Sequence, residues 1–209
     1  KAAHVTALRT MLLYTTPDAR GHYEHIDKLP RIYPAVEYGR SRDGGRKLKR
    51  YNGIVMLEVN GLAGLSEVEL VKEQARLLPQ TWAAITGSSG RSVKIWVKFV
   101  LPDGNLPVKE ENITLFHACA YRMAVQCYQP ILPFPITLKE PNPAQSCRMT
   151  LDTDPYFNPD AIAFCQEQPF SMPGEQTFHQ RKLTEKNPLL RLKPGFETSE
   201  TFTILFETT

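Results

Sequence analysis

Residues 53–100 read GIVMLEVNGLAGLSEVELVKEQARLLPQTWAAITGSSGRSVKIWVKFV, and this stretch decides the fold. Its opening, 53–60, is β-branched and apolar and predicts a strand. Ser66 followed by Glu69 reads as a capping box opening a helix, with Val68, Val71, Ala75 and Leu78 on one face and Pro79 closing it. Residues 81–86 predict a second strand. The turn Gly87-Ser88-Ser89-Gly90 leads into a third, 92–100, in which apolar and polar residues alternate strictly. Outward from this stretch, a helix over 112–128 and a strand over 147–152 complete the order βαββαβ. That order predicts an α+β fold of the RNA-recognition or ferredoxin-like kind: a largely antiparallel sheet, helices on one face, and extra N- and C-terminal elements.

Successive strand residues point to opposite faces, so parity sorts the side chains. Val55, Leu57 and Val59 share one face of the first strand, and Glu58 and Asn60 the other. In the third strand Val93, Ile95, Val97 and Phe99 oppose Lys94, Trp96 and Lys98. In the fourth, Cys147, Met149 and Leu151 oppose Arg148, Thr150 and Asp152, with Asp154 just beyond. The apolar sets pack on the helices. The polar sets gather on an open face where carboxylates could take Mg²⁺ or Mn²⁺, lysines could meet phosphates, and Trp96 could stack a base. The competing reading is a solvated sheet with cross-strand ion pairs and no ligand.

Composition narrows the class without naming a function. The 209 residues are 42% hydrophobic and 22% charged, which excludes collagen, coiled coil, disulfide-stapled peptide and disorder. No apolar run approaches the roughly 20 residues of a membrane span, and no stretch has the build of a signal peptide, so a cytoplasmic protein with no membrane partner is expected. A single domain over 1–209 is expected, with its core at about 34–165 and a C-terminal meander and strand in 166–209. The chain does not begin with Met, and it reads as the N-terminal part of a larger protein.

Charge is concentrated in one place. Arg40, Arg42, Arg46, Lys47, Lys49 and Arg50 stand against the single acid Asp43, a local net of +5 in a chain of net +3. Gly44 and Gly45 at the centre suit a turn that carries this charge to phosphates or simply into solvent. The cysteines (Cys119, Cys127, Cys147, Cys165) lack paired metal spacing, so they are expected reduced, buried and structural, and no zinc is expected.

Three ordered motifs carry a resemblance. The run PAVEYGRSRDGGRKLKRYNGIVMLEVNGL, then ITGSSGRSVKIWVKF, then the HACAYRMAVQCY helix with SCRMTLDTDPYFNPDAIAF, resembles the amino-terminal domain of VirE-type proteins of bacterial mobile elements. That domain is in turn similar to archaeo-eukaryotic-type primases. The resemblance implies a primase-polymerase-like domain acting in replication or mobilisation, with Glu58 and Asn60 at the positions of the primase acid pair. It implies that Ser88, Ser89, Arg91 and Lys94 contact nucleotide, with Lys94 where primases carry His and where Lys is usual in this family. Arg148 matches the family's arginine, and Asp154, or else Asp152, stands for the late metal-binding acid.

The implied metal ligands are Glu58 and Asp154, for Mg²⁺ or Mn²⁺. Asn60 lacks the charge of an Asp, which weakens a two-metal site and puts polymerisation in doubt. Two classes of function follow: a degenerate metal-dependent nucleotidyltransferase on single-stranded DNA, or a non-catalytic DNA-binding or protein-interaction module. Expected partners are single-stranded nucleic acid and nucleotide, met by Arg46, Lys47, Lys49, Arg50, Lys94, Trp96 and Lys98. No G-x-x-x-x-G-K-[ST] loop occurs, so a helicase-like ATPase partner region would lie outside this chain.

Overall fold

The computed structural model describes residues 29–167 together with residues 3, 5–7, 9 and 10. The final strand expected at 201–206, and the meander before it from residue 168 onward, lie outside the described residues. Lys1–Glu167 forms one compact unit.

The fold is α+β, with mostly antiparallel strands and two long helices among the described elements. In chain order these are β1 (Arg31–Ile32), β2 (Val36–Arg40), β3 (Arg46–Tyr51), β4 (Ile54–Asn60), α1 (Leu65–Ala75), β5 (Thr81–Thr86) and β6 (Ser92–Val100). Then follow α2 (Glu110–Tyr128), β7 (Cys147–Arg148), β8 (Tyr156–Phe157) and β9 (Phe164–Cys165). The main sheet runs β4-β6-β5-β8, all antiparallel, and β9 adds to the end of β6 in parallel.

Apolar parity builds the core. Val55, Leu57, Val59, Val93, Ile95 and Val97 are fully buried on one sheet face. The two helices pack on the sheet, α1 against β5 and β6 and α2 against β4, and bury Val68, Val71 and Ala75 of α1 and Phe116, Ala120, Ala124 and Tyr128 of α2. Side chains of this size contribute roughly 1.5–3 kcal/mol each when fully buried, so this face holds the domain together.

Several local expectations need correction. α1 is not opened by a Ser66–Glu69 box: its N-cap is Gly64, and the Glu67 carboxylate accepts from the Ala63 amide at 2.6 Å, one turn ahead. Glu69 instead pairs with Lys72. The helix ends at Ala75, before Leu78 and Pro79. The turn expected at Gly44 and Gly45 is there, spanning 41–45, but most of the basic run lies on the strands of the hairpin it joins, β2 and β3. Gly44 there has φ +80°, which a side chain would strain. The expected fourth strand over 147–152 shortens to Cys147–Arg148 and pairs with β1 in a separate two-stranded sheet, while β8 takes the place beside β5. The pairing stops at two residues because Pro30, next in register, accepts from the Met149 amide but has no N–H to return the bond, and Thr150 and Asp152 turn their side chains to the end of β5.

The cysteines are free, as their spacing suggested, but only Cys119 and Cys147 are buried; Cys127 is half-buried and Cys165 is exposed. Among the described residues no helix is long and apolar enough to cross a membrane.

Candidate nucleic-acid interface

Pairing register sets the open face of the sheet out in rows. Glu58 of β4 lies opposite Lys94 of β6, which lies opposite Ile85 of β5. The next row is Met56, Trp96, Ala83 and Phe157, and the row beyond it holds Ile54 and Lys98. Parity thus brings Glu58, Lys94, Trp96 and Lys98 together, as the alternation required.

Glu58 is the centre of the first row and is 4% exposed. Its Oε1 accepts from the Lys94 ammonium at 2.6 Å. Its Oε2 accepts from the Lys139 ammonium, which arrives from the segment that runs along the free edge of β4. That segment is fastened by the Thr137 amide to the Glu58 carbonyl at 2.7 Å, and by the Lys139 amide to the Tyr121 hydroxyl at 3.0 Å. Burial pushes the Glu58 carboxyl up, but the two ammoniums together outweigh it and hold it below the usual carboxylate range. Burial lowers the Lys94 ammonium, and the Glu58 charge opposes this only in part. One carboxylate thus faces two lysines. Lys98 adds a third cation; its Nζ lies 4.7 Å from the Trp82 ring centroid, and among the described residues no carboxylate pairs with it.

The other acids do not join this row. Asp152 sits beyond β5, accepting from the Thr86 amide at 2.7 Å and pairing with Lys72 of α1 at 3.3 Å. Burial raises its carboxyl, and the amide bonds from Thr86 and Asp154, with Lys72, bring it below the usual range. Lys72 is itself buried on the helix side and also donates to the Asp154 carbonyl at 2.6 Å. Asp154 has an exposed side chain. From Glu58 to the far side of β5 is at least two strand spacings, on the order of 10 Å. Asn60 is exposed, and its amide reaches toward Glu58 Oε2 at 3.4 Å. Arg148, placed on the sheet by parity, lies in β7 with its guanidinium 3.4 Å from the Leu29 carbonyl, because that strand pairs with β1 outside the main sheet.

A divalent ion needs oxygen donors that converge. Both Glu58 oxygens hold ammoniums, both Asp152 oxygens hold N–H donors, and Asp154 lies apart, so this donor set does not fit Mg²⁺ or Mn²⁺. Among the described residues no group of three metal-ligating side chains gathers elsewhere.

The Ser-Gly turn after β5 is closed by the Gly87 amide on the Ser92 carbonyl at 2.7 Å and by Ser89 Oγ accepting from the Arg91 amide at 3.2 Å. Gly90, at φ +75°, completes it. Arg9 donates to the Gly87 carbonyl at 3.0 Å and to Thr150 Oγ1 at 2.8 Å, tying the N-terminal segment to this turn. Ser88, Ser89 and Arg91 are half-exposed at the end of β6 next to Lys94.

The basic hairpin is a separate surface. Tyr51 anchors it to the helix side, stacking edge-on against Phe116 and meeting His117 Nδ1 at 3.1 Å. The hairpin and the start of α2 flank a groove of about 900 Å³, with Arg46, Lys47 and Ile113 in its walls. Lys49 and Arg50 pair with Glu37 at 2.6 and 3.7 Å, and Arg46 donates to the Tyr33 hydroxyl. Lys47 is exposed, with no ion pair among the described residues.

Sequence reasoning missed three residues here. Lys139 comes from a proline-rich stretch with no strand signal. Trp82 has the wrong parity until a bulge is allowed for, and Phe157 lies in a strand only two residues long.

Fold and site together define an α+β domain with a lysine-rich sheet face and a basic hairpin anchored through Tyr51. The chain belongs to the family described as "BT4734-like, N-terminal domain", which matches residues 24–157. No curated protein and no solved structure matches it.

Proposed function

We propose that this domain binds single-stranded nucleic acid, with DNA as the probe of choice, across the open face of its sheet, as part of a mobile-element replication or mobilisation protein. The observation that carries the reading is the charge excess on that face: Lys94, Lys98 and Lys139 against Glu58 alone. A polyanion supplies the compensation that the protein leaves out. Membership of the family does not itself state a function. The VirE-type and primase resemblance supports the replication context, and the βαββ run with strand order first, third, second supports an RNA-recognition-like or ferredoxin-like sheet. The final strand sits on the far edge from the place that such a sheet would give it.

Catalysis is the part of that resemblance that the geometry supports least. Glu58 acts here as the anchor that fixes two lysines, Lys139 at the surface and Lys94 beneath it, not as a metal ligand, and Asn60 adds no charge. A non-catalytic binding module is therefore the preferred reading, with a helicase-like ATPase outside this chain as its natural partner. Nucleotide is the smallest ligand that the Ser88–Arg91 turn and Lys94 would take.

Fluorescence anisotropy with oligothymidylate at two salt concentrations tests the reading. Expected is binding that weakens with salt, with a logarithmic slope of about −0.7 per phosphate contacted. No binding at low salt overturns the proposal. A primer-extension assay with Mn²⁺ is expected to give no product, and robust extension would return the case to the polymerase.

A further inference from the structure

The second row of the open face is aromatic, and it owes its shape to a defect in the strand. Between Thr81 and Ala83 the register with β6 slips: Thr81 faces Val97, and Ala83 faces Trp96, so Trp82 is an extra residue. A bulge of this kind re-aims a side chain. Thr81 stays on the helix side, its hydroxyl bonded to the Ala75 carbonyl and the Tyr128 hydroxyl. Trp82 instead lies beside Trp96, ring centroids 5.9 Å apart and planes at 27°. Phe157, opposite the small Ala83, closes on Trp82 from the next strand at 5.4 Å and 66°.

The row differs from ordinary core in two ways. Phe157 is 57% exposed, so an aromatic ring stands at the rim rather than being sealed. Lys98 lies over the Trp82 face, a cation with no carboxylate partner among the described residues. Flat π surface beside unneutralised positive charge is what a base and its phosphate need together. Trp96 is the covered member: Trp82 stacks on it, and its indole N–H is buried without a partner. Any ring that stacks here does so on Trp82 and Phe157.

Resting on the nucleic-acid reading above, we infer that Trp82 and Phe157 form a stacking site for one unpaired nucleobase, with Lys98 taking the adjoining phosphate. Lys139, the solvent-accessible lysine of the neighbouring row, continues the phosphate track. The site is sequence-tolerant because it reads a π face and a charge, and no base edge.

The test compares the full chain's affinity for oligothymidylate with that for a base-free deoxyribose-phosphate oligomer of equal length and charge. Expected is tighter binding of the base-bearing oligomer by roughly five- to 150-fold, with quenching of tryptophan fluorescence. Phe157→Ala should remove most of that preference while leaving affinity for the base-free oligomer unchanged, which also shows that the variant is folded. Trp82→Phe keeps a ring and should retain most of the preference. Equal affinity of the native chain for both oligomers overturns the stacking site and leaves the phosphate-binding proposal standing. Binding of neither oligomer at low salt overturns both.

Discussion

The open sheet face and the basic hairpin carry the same kind of charge under opposite physical conditions. On the hairpin, Lys49 and Arg50 share Glu37 with their side chains largely in water, and Lys47 has no ion pair among the described residues. On the sheet, Lys94 and Glu58 are nearly excluded from solvent, at 14% and 4% side-chain exposure. Exposed ions are screened and interchangeable, and they act on an approaching ligand only within a Debye length, about 8–10 Å. Buried ions are fixed in place by the fold and costly to disturb. The region richest in positive charge is thus the less specific one, and the sparser region has the defined geometry.

The contrast breaks most visibly at Glu58. Glu58→Gln leaves Lys94 and Lys139 facing one another with no anion, and Lys94 with little access to water. The expected loss is about 3–5 kcal/mol, toward the lower end because Lys139 reaches solvent. Urea unfolding should show it as a lower midpoint at unchanged slope. Replacing Glu58 and Lys94 together by Met should recover much of the loss. Glu37→Gln on the hairpin is the control, with no measurable shift in midpoint expected. Equal effects at the two sites would mean that Glu58 and Lys94 are better hydrated than their burial indicates.

Acid probes the helix-side anchor that joins hairpin to sheet. His117 is 2% exposed against Tyr51, and burial lowers its imidazole to about 4 from an ordinary 6.5. The unfolded chain then binds the proton first on acidification. Stability is complete above pH 6.5 and is lost as the pH falls toward 4, by up to about 3 kcal/mol from this group. Denaturant midpoints across that range should decline, and His117→Gln should flatten the decline. A profile of the native protein that is flat from pH 6.5 to 4 would mean that the imidazole is hydrated.

Alternation made the sheet legible: strict parity in 92–100 aligned Lys94, Trp96 and Lys98, and the pairing of β4 with β6 put Glu58 opposite Lys94. Parity holds only while a strand stays in its ladder. Alternation alone places Arg148 and Asp152 on the open face, yet β7 is two residues long and pairs only with β1, outside the main sheet. Trp82 was hidden by a one-residue bulge, which no period-2 pattern can register. Lys139 is brought in by a segment held through single hydrogen bonds to the strand edge and to Tyr121, and such tertiary contacts leave no local signal. The positive cluster over 40–50 was legible as charge, but its hairpin form was not, because β3 is mostly polar and exposed and β2 mostly half-buried, so neither shows a clean apolar alternation.

The smallest expected effect sharpens the comparison most, since it asks whether the hairpin touches the ligand at all. The hairpin is anchored on the helix side by Tyr51, whereas the lysine row lies on the open face. An oligonucleotide of about six residues is within the range that one domain of this size occupies, and it should occupy the open face alone. Lys47→Ala should then leave both its affinity and its salt slope unchanged. An oligonucleotide of about thirty residues can run past the sheet edge and reach the exposed Lys47. For it, the same substitution should reduce the salt slope by about 0.7, the contribution of one phosphate on a single strand. Thermal midpoints should not move in either case, since the lysine makes no ion pair among the described residues. A change in the short-oligonucleotide slope would mean that hairpin and sheet form one continuous track, and the division between a fixed surface and a screened one would fail.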